Sequence, residues 1–411
     1  MSQKKDSKGR NLRQNENQMK DGRYRYRYTD RDGNRKAIYA WKLVKTDKTP
    51  NGKKEDICLR EKELQLQKDL SDGIDVYAGE TTTVYELIMK YIDTKTMIVP
   101  TTRTNYINIT NKNIKPNRLG KMKIVNVRKS DVKLFYAYLH NEREFSTNTI
   151  QLYQNLIFPA FQMAVDDFMI RVNPAKDCMK EYVRGSLSST RKPLSREEQK
   201  VLLDYVKSHC IYSVYYPMIA FMISTGCRIS ETLGLTWNDI DLKQKFVNVN
   251  HQLINKKVEG KPLHFIAQTK NKTNRIIPLQ DDIIEIMRDY KRKTYFNSIS
   301  SGCEIEGYTN FVFLNRENKF HKVATLVRAF HGIRDSYNKS KDVDEIELPD
   351  FTPHTLRHTA CTRYAENGMD PKVLQMIMGH KNIAITMQVY NHADNIRISK
   401  ETQRVSSPLV V

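Results

Sequence analysis

The sequence predicts a multidomain α+β protein with a small N-terminal three-stranded sheet plus helix, an all-α middle domain, and a mixed, mainly α last domain with a small antiparallel sheet. Three observations predict this fold class. The chain has 411 residues, which is too long for one compact core. Residues 21–30 alternate with the period of a strand, whereas residues 81–183 repeat apolar positions with the period of a helix. A small, polar and basic segment at residues 184–192 separates this helical stretch from a final stretch of mixed pattern.

The N-terminal region is rich in arginine and tyrosine. Residues 1–20 are polar and basic with little to bury, so we expect a flexible arm. Residues 21–75 are predicted to form a domain, with a second strand over Arg35–Val44 and a helix from about Leu59 to Leu70. The two faces of its first strand carry Arg23, Arg25 and Arg27 on one side and Tyr24, Tyr26 and Tyr28 on the other. We expect the tyrosines to close a small core and the arginines to face outward.

The middle domain, residues 81–183, is predicted to be helical because its apolar residues recur every three or four positions. A basic loop within it carries Lys112, Lys115, Arg118, Lys121 and Lys123. Such a loop either contacts phosphate or is simply a solvated surface, and the sequence leaves both interpretations open. Residues 184–192 are predicted to be an interdomain linker.

The last domain is predicted over residues 193–394. Ser195 followed three residues later by Glu198 is a capping box, so a helix begins there. The β-branched alternation between about Phe246 and Pro278 predicts a short antiparallel sheet, and helices follow it. The final segment, residues 395–411, is polar with a few apolar residues, and it either docks on a partner protomer or frays.

The charge balance points to a polyanionic partner. The chain carries 68 Lys and Arg against 47 Asp and Glu, a net charge of +21, which favours nucleic acid or an anionic membrane. No run approaches the roughly 18 apolar residues that span a bilayer, and the N-terminus lacks a signal-peptide core, so membrane is the weaker interpretation. The six cysteines are scattered without a C-x-x-C pair, which argues against a disulfide framework or structural zinc. We therefore expect a soluble, intracellular protein associated with nucleic acid.

Four short segments of the last domain contain arginine, lysine, histidine and tyrosine in an order that indicates one shared site. They are T-G-C-R-I-S-E at 225–231, Q-T-K-N-K-T-N-R-I-I-P-L at 268–279, H-T-L-R-H-T at 354–359 and M-G-H-K-N-I-A-I-T-M-Q-V-Y at 378–390. Their side chains suited to phosphate chemistry are Arg228, Glu231, Lys270, Lys272, His354, Arg357, His380 and Tyr390. Lys270 and Lys272 fall at a predicted hairpin turn.

This set suits phosphoryl transfer on DNA without metal. Arg228 and Arg357 can hold the non-bridging oxygens of a phosphodiester in a bidentate manner. Tyr390 can attack phosphorus once its phenol is helped to ionise, and His354 or His380 can take or share that proton. A lysine on a mobile hairpin is a suitable acid for the departing sugar oxygen. A covalent phosphotyrosine would conserve the bond energy, so that strands can be resealed without ATP.

Each segment alone also has an ordinary structural interpretation. An Arg–Glu pair three residues apart is commonly a surface salt bridge, and turn lysines are usually solvated. His354 and His358 invite a zinc site, but the Glu of H-E-x-x-H is absent and no cysteine cluster stands nearby. Because the four segments in this order are hard to produce by chance, phosphoryl transfer is the favoured interpretation.

The segments resemble a known family. Arg228, His354-x-x-Arg357, Gly379-His380 and Tyr390 together resemble the tyrosine recombinase (phage integrase) superfamily over residues 190–400. The basic N-terminal sheet, the helical middle and the Tyr390-Asn391-His392 ending look most like integrases of Gram-positive conjugative transposons, over nearly the whole chain. The resemblance implies a site-specific DNA recombinase that integrates and excises a mobile element through a 3′-phosphotyrosyl intermediate, with no metal and no cofactor.

The resemblance also implies a role for each site residue. Arg228 and Arg357 hold the scissile phosphate, His354 assists proton transfer, and His380 hydrogen-bonds the same phosphate. Glu231 supports the site, and Tyr390 attacks to leave a 3′-phosphotyrosyl link and a free 5′-OH. Lys270 lies eight residues before Pro278, the spacing expected for the general acid, but Lys272 is close enough to compete.

The implied partners are double-stranded DNA at crossover and arm-type sites, a homotetramer on DNA, a small excision protein and a host DNA-bending protein. The Arg23, Arg25 and Arg27 face is expected to enter a major groove. The implied location is the bacterial cytoplasm, at the nucleoid. Two rival functions stay open: a type IB-like topoisomerase, against which the N-terminal module argues, and a non-enzymatic sequence-specific DNA-binding protein, which would have no reason to keep this set together.

Overall fold

A computed structural model describes residues 4–29, 33, 35–71, 76–180, 192–256, 258, 263–269, 274–300 and 303–390. The chain divides into two compact units, residues 1–188 and 189–411, and each is considered by itself. Small antiparallel sheets and many helices make up both units, so the predicted α+β class is confirmed. Among the described helices, none is both long and apolar enough to cross a membrane.

The first unit begins with a three-stranded antiparallel sheet in the order β1-β2-β3. Its strands are β1 (Glu16–Gln18), β2 (Tyr24–Thr29) and β3 (Arg35–Ala40), and helix α1 (Leu59–Ser71) follows. The small core contains Leu12, Tyr24, Ala40, Leu43 and Leu59. The predicted sheet and helix are therefore confirmed, although the second predicted strand ends at Ala40 rather than Val44.

The predicted flexible arm over residues 1–20 is wrong for its described part, residues 4–20. Strand β1 lies within it, and Leu12 joins the core. Two acidic side chains of this segment are fully buried as ion pairs, because Asp6 meets Arg10 at 2.8 Å and Glu16 meets Arg60 at 3.1 Å. Polar composition misled the prediction, since a charged residue can be buried when a partner charge is buried with it.

The remainder of the described first unit is helical. The α-helices are α2 (Val76–Thr81), α3 (Val84–Thr94), α4 (Pro100–Ile109), α5 (Arg118–Lys121), α6 (Lys129–Asn141) and α7 (Thr147–Asp166). A π-helical turn (Thr110–Ile114) and a 3₁₀ turn (Ile124–Asn126) connect them. The predicted apolar positions of α3, including Val84, Leu87 and Ile88, lie in the core of this region. The predicted linker at 184–192 lies outside the described residues except for Lys192.

The second unit holds the four segments singled out in the sequence. Its helices are α8 (Arg196–Ser208), α9 (Tyr216–Thr225), α10 (Ile229–Gly234), α11 (Asp281–Ser300), α12 (Val323–Ser340), α13 (Pro353–Glu366), α14 (Pro371–Met378) and α15 (Ile383–Tyr390). Short 3₁₀ turns cover Tyr212–Tyr215 and Trp237–Asp239. The predicted capping box is confirmed, because the Glu198 amide donates to the Ser195 hydroxyl at 3.0 Å and the Ser195 amide donates to the Glu198 carboxylate at 2.6 Å.

The described strands of the second unit form two antiparallel sheets rather than the single predicted sheet. They are β4 (Ile240–Asp241), β5 (Phe246–Val249), β6 (His251–Asn255), β7 (His264–Gln268) and β8 (Arg275–Pro278). Strand β5 pairs with β4 and β8, so both of its edges are used, and the chain continues into a separate β6–β7 pair.

This pairing corrects the predicted hairpin turn. Strands β7 and β8 flank Lys270 and Lys272, but they belong to different ladders and do not pair with each other. Residues 270–273 themselves lie outside the described residues, so the connection is known only from the strands on either side.

Candidate active site

The first predicted segment forms a tight junction between two helices. Helix α9 ends at Gly226 in the left-handed conformation, with φ of 65°. A side chain there would collide with Met378, whose Cε lies 2.5 Å from an ideal Cβ position. Two residues later Arg228 is the N-cap of α10, and its amide donates to the Glu231 carboxylate at 2.9 Å. The glycine therefore brings the start of α10 close to the end of α14.

The C-terminal end of α14 is bound by three arginines in succession. Arg275 Nε donates to the carbonyl of Ile377 at 2.7 Å, Arg357 Nη2 donates to that of Met378, and Arg228 Nη2 donates to that of Gly379 at 2.8 Å. The last carbonyls of a helix have no partner within the helix and carry its negative dipole end. Guanidinium groups are well matched to these acceptors, so the helix end gathers three positive charges.

Glu231 is the carboxylate at the centre of this cluster. Its side chain is fully buried, and it meets Arg275 Nη2 at 2.6 Å and Arg228 Nη1 at 2.7 Å. Burial alone would raise the pKa of Glu231, but hydrogen bonds from Arg275 and the charges of Arg275 and Arg228 lower this pKa to about 2. Glu231 is therefore ionised at neutral pH.

The contribution of Glu231 to the free energy of unfolding is expected to disappear on acidification. The carboxyl ionises at about 2 when folded but at its ordinary value of 4.5 when unfolded, so the unfolded chain takes up a proton first as the pH falls. The contribution, about 3 kcal/mol, is complete above pH 4.5 and is lost towards pH 2. Urea unfolding of wild type and Glu231→Gln between pH 2 and 6 measures it. A stability difference that stays constant across this range would contradict the assignment.

Arg357 and the two predicted histidines lie at the same place. Arg357 is 4% exposed, and its Nη1 donates to the Gly226 carbonyl at 2.6 Å. Burial, assisted by the charge of Arg228, lowers the pKa of Arg357 to about 10, so the guanidinium stays charged at pH 7. His380 pairs through Nδ1 with the Thr386 hydroxyl at 3.0 Å. Burial and the charges of Arg357, Arg228, Arg275 and His354 lower the pKa of His380 to about 4.

His354 occupies the first turn of α13, three residues before Arg357, and is exposed. The hydroxyl of its neighbouring N-cap, Thr352, accepts from the Thr355 amide, and Pro353 occupies the first helical position. This start of α13 leaves His354 accessible to a ligand while Arg357, one turn on, is directed into the buried cluster.

Tyr390 ends α15 and is buried, with 9% of its surface exposed. Its hydroxyl donates to the backbone carbonyl of Met369, in the loop between α13 and α14. The structure thus brings Arg228, Glu231, Arg357 and His380 together at the C-terminal end of α14, whereas the Tyr390 hydroxyl binds the loop that precedes the N-terminal end of that helix. Lys270 and Lys272 lie outside the described residues.

The arginines of the N-terminal sheet that were predicted to face outward differ in their exposure to solvent. Arg27 is exposed, whereas Arg23 and Arg25 are half-buried. The Arg23 guanidinium stacks 5.3 Å from the ring centre of Tyr39 and 5.8 Å from that of Trp41. Tyr24 lies in the small core on the opposite face, as predicted. The face with the arginines is therefore basic and aromatic.

The predicted basic loop of the middle region is largely helical, since Lys112 lies in the π-helical turn and Arg118 and Lys121 lie in α5. Lys112, Lys115, Arg118 and Lys121 are exposed, but Lys123 is half-buried and its ammonium donates to the carbonyl of Thr81. That contact connects Lys123 to the end of α2, so Lys123 contributes to the structure of this region.

Sequence reasoning missed Arg275, which is only 7% exposed at its side chain. Its position in β8 carried a usable signal. Ile277 is buried, Ile276 is 62% exposed, and side chains two apart in a strand point to the same face. An arginine on the inward face of a strand requires a buried anion, and Glu231 is that anion.

The cluster is suited to binding a phosphate group. Arg228 and Arg275 bond to the Glu231 carboxylate, and Arg357 donates to the same helix end, which leaves a net charge of about +2. His380 is neutral at pH 7 because its pKa is about 4, so it can donate one hydrogen bond without adding charge. No group of three or more histidine, cysteine, aspartate or glutamate side chains that could hold a metal ion occurs in the described part of the chain.

Comparison with known proteins agrees with this geometry. Residues 192–397 match the phage integrase family, and residues 1–70 match the DNA-binding domain of Tn916 integrase. The chain belongs to the phage integrase family and is a tyrosine recombinase. Along nearly its whole length it is similar to the transposase from transposon Tn916 of Enterococcus faecalis, with 37% identity over 98% of this chain and 99% of that protein. The resemblance inferred from the sequence is thereby confirmed.

Solved structures give the same assignment. The Tn1549 transposon integrase in complex with a circular intermediate DNA superposes with a TM-score of 0.70 and 29% identity, over 79% of this chain and all of that chain. A λ integrase tetramer bound to a Holliday junction shares the fold, with a TM-score of 0.53 and 16% identity over 95% of this chain and all of that chain.

Proposed function

We propose that this recombinase integrates and excises a mobile element by cutting and rejoining double-stranded DNA at specific sites, through a covalent 3′-phosphotyrosyl link to Tyr390. The observation that carries the proposal is the gathering of Arg228 and Arg357 at the C-terminal end of α14, directly before His380. Similarity to the Tn916 transposase over nearly the whole chain supports the integration and excision of a transposon-like element.

The proposed reaction assigns a role to each side chain. Arg228 and Arg357 bind the non-bridging oxygens of the scissile phosphate and stabilise the charge that grows on them. His380, neutral at pH 7, hydrogen-bonds the same phosphate. The Tyr390 oxygen forms a bond to phosphorus, its proton passes towards His354, and the bond from phosphorus to the 5′ oxygen breaks.

The departing 5′ oxygen takes a proton from Lys270, with Lys272 as the competing donor. Attack by a 5′-OH on the phosphotyrosine reverses these steps and reseals a strand, so no cofactor is consumed. Before the first attack, the Tyr390 phenol must leave the Met369 carbonyl. The roles of Lys270 and Lys272 are proposed from the resemblance, since both lie outside the described residues.

The proposed partner is DNA at two kinds of site. The basic and aromatic sheet face with Arg23, Arg25 and Arg27 binds arm-type sites, and the exposed cations of the middle region contact phosphates near the crossover site. The Tn1549 integrase fragment, similar over 79% of this chain, was solved on a circular intermediate DNA, which supports DNA as the partner, and the match of residues 1–70 to a DNA-binding domain supports a role of the sheet in DNA binding. We further propose a homotetramer on paired sites, an excision protein and a host DNA-bending protein. Residues 395–411, the tail that either docks on a partner protomer or frays, lie outside the described residues.

Two neighbouring lysines are expected to behave differently in DNA binding. Lys121 is exposed, so Lys121→Ala should weaken binding to all sequences alike and reduce the slope of log K against log salt by about 1. Lys123→Ala should instead lower the melting temperature, because the Thr81 carbonyl loses its partner, and leave the slope unchanged. Salt titrations of duplex binding, with thermal unfolding, test the pair. The reverse pattern would contradict the described placement of these side chains.

The test of the proposed function uses a nicked duplex that carries a candidate crossover site, incubated with the full chain in EDTA and resolved on a denaturing gel. The nick releases a short strand after cleavage and traps the covalent complex. A slow-migrating covalent band, together with joining of strands from two DNA molecules, is the expected result. Binding without a covalent band would favour a non-enzymatic DNA-binding protein. A covalent band without joining between molecules would favour a topoisomerase.

A further inference from the structure

Arg275 has a position in the cluster that the proposed reaction does not explain. Its guanidinium forks onto Glu231, with Nη1 3.1 Å from Oε1 and Nη2 2.6 Å from Oε2. Its Nε donates to the Ile377 carbonyl at 2.7 Å. The backbone of Gly379 also lies against it, because an ideal Cβ on Gly379 would be 3.3 Å from Arg275 Nη1. One side chain thus touches both the carboxylate and the helix end that hold Arg228.

We propose that Arg275 is a positioning residue for DNA cleavage, which keeps Glu231 from neutralising Arg228 and holds the end of α14 that orients Arg228 and His380. The inference rests on the proposed function, in which Arg228 binds the scissile phosphate. Arg275 acts through these neighbours. All three of its guanidinium nitrogens already donate to protein acceptors.

The first reason to assign this role to Arg275 is the charge balance around Glu231. Glu231 contacts two guanidinium groups, Arg228 at 2.7 Å and Arg275 at 2.6 Å. With Arg275 present, one carboxylate is shared between two cations, and Arg228 keeps positive charge for a phosphate. Without Arg275, the buried carboxylate would pair with Arg228 alone and cancel its charge. In a buried site such pairing is strong, because solvent does not screen it.

The second reason to assign this role to Arg275 is the geometry at the C-terminal end of α14. The carbonyls of Ile377, Met378 and Gly379 are each bound by a different arginine, and only the middle and last of these arginines are proposed to bind phosphate. Arg275 fixes the first carbonyl from strand β8, a separate element. This contact anchors the helix end independently of DNA, so that Arg228 and His380 are already in place when the phosphate arrives.

A suppressor experiment tests the inference. Arg275→Gln is expected to slow single-turnover formation of the covalent complex on the nicked duplex about 100-fold, with the Kd for DNA changed less than about 3-fold. Adding Glu231→Gln to Arg275→Gln removes the carboxylate as well as the cation. The net charge of the cluster then returns to about +2, because Arg228 and Arg357 remain without a carboxylate to neutralise them. The double variant is expected to recover at least about 10-fold of the lost rate. A purely structural role for Arg275 predicts the opposite, since a second buried substitution would add further damage.

Arg363 provides the matched control. It lies on α13, is also largely buried, and binds the Leu194 carbonyl, Gln199 and a carboxylate, Glu366, as Arg275 binds a carbonyl and a carboxylate. Arg363→Gln is expected to lower the melting temperature with the cleavage rate of the folded protein within about 3-fold of wild type.

The inference is overturned if Arg275→Gln cleaves as fast as wild type, or if the folded double variant is as slow as Arg275→Gln. Should Arg275→Gln fail to fold, Arg275→Lys keeps the charge but loses the fork, and it is expected to be at least about 10-fold slower at unchanged DNA affinity. A wild-type rate for Arg275→Lys would then overturn the inference. Absence of covalent complex with wild type would instead be a failure of the proposed function itself.

Discussion

Replacing Tyr390 by phenylalanine is expected to abolish covalent attachment to DNA, with a fall in cleavage rate of roughly 10⁴-fold or more and little change in DNA affinity. The substitution removes the only atom proposed to bond to phosphorus, and loss of a nucleophile is among the largest effects that one side chain can have. The measurement is single-turnover cleavage of the nicked duplex, beside a gel shift with the same DNA.

The matched control is Tyr364→Phe. Tyr364 belongs to the same unit, and its hydroxyl also donates to a backbone carbonyl, that of Ser224, at 2.6 Å. Both substitutions therefore remove one tyrosine-to-carbonyl hydrogen bond, at a cost of about 1 kcal/mol in stability. Only Tyr390→Phe should lose cleavage. Equal cleavage by the two variants would show that Tyr390 contributes packing alone and that the nucleophile lies elsewhere.

Arg357→Ala is expected to give the next largest effect, a loss of about 10³-fold in the cleavage rate. Arg357 is buried and charged at pH 7, and it donates to carbonyls at the ends of two different helices, α9 and α14. Its removal takes away one of the two guanidinium groups proposed to bind the phosphate and leaves those carbonyls without their donor. A lower melting temperature is therefore expected as well.

Arg357→Lys separates these two consequences. Lysine retains the positive charge but cannot reach the Gly226 and Met378 carbonyls with one planar fork. We expect a cleavage rate between those of wild type and Arg357→Ala. The rate is expected to be clearly below that of wild type when both proteins are saturated with DNA. Full activity in Arg357→Lys would mean that charge alone suffices and that the bidentate geometry is not used. Arg363→Gln again controls for loss of a buried arginine on α13.

Much of the fold follows from local patterns in the sequence. The alternation of arginine and tyrosine over β2, the three-to-four spacing of Val84, Leu87 and Ile88, and the capping box at Ser195 each indicate the element that is found. What local patterns do not contain is the pairing of distant groups. The burial of Asp6 and Glu16 depends on Arg10 and Arg60, and Arg60 is 44 residues away from Glu16. Strand β8 likewise pairs with β5 and not with its neighbour in sequence, β7.

In the candidate site, too, local patterns predict some features, whereas contacts between distant residues are not predicted. Arg228, Arg357 and His380 could be proposed because motif spacing identifies them, and the structure gathers them around one helix end. The motif does not reveal that Arg228 and Arg357, together with Arg275, each donate to one of three consecutive backbone carbonyls at the end of α14. Arg275 was missed for the same reason, since its partner Glu231 lies 44 residues earlier in the chain. The docking of Tyr390 on Met369 also depends on a loop conformation that no side-chain pattern encodes.

The most direct test of the account is to identify the residue that carries DNA. Covalent complex formed by the wild-type chain on the nicked duplex would be digested with protease and nuclease, and the nucleotide-bearing peptide sequenced by mass spectrometry. We expect one nucleotide joined through its 3′-phosphate to Tyr390. An adduct on any other residue, or a link through a 5′-phosphate, would contradict it.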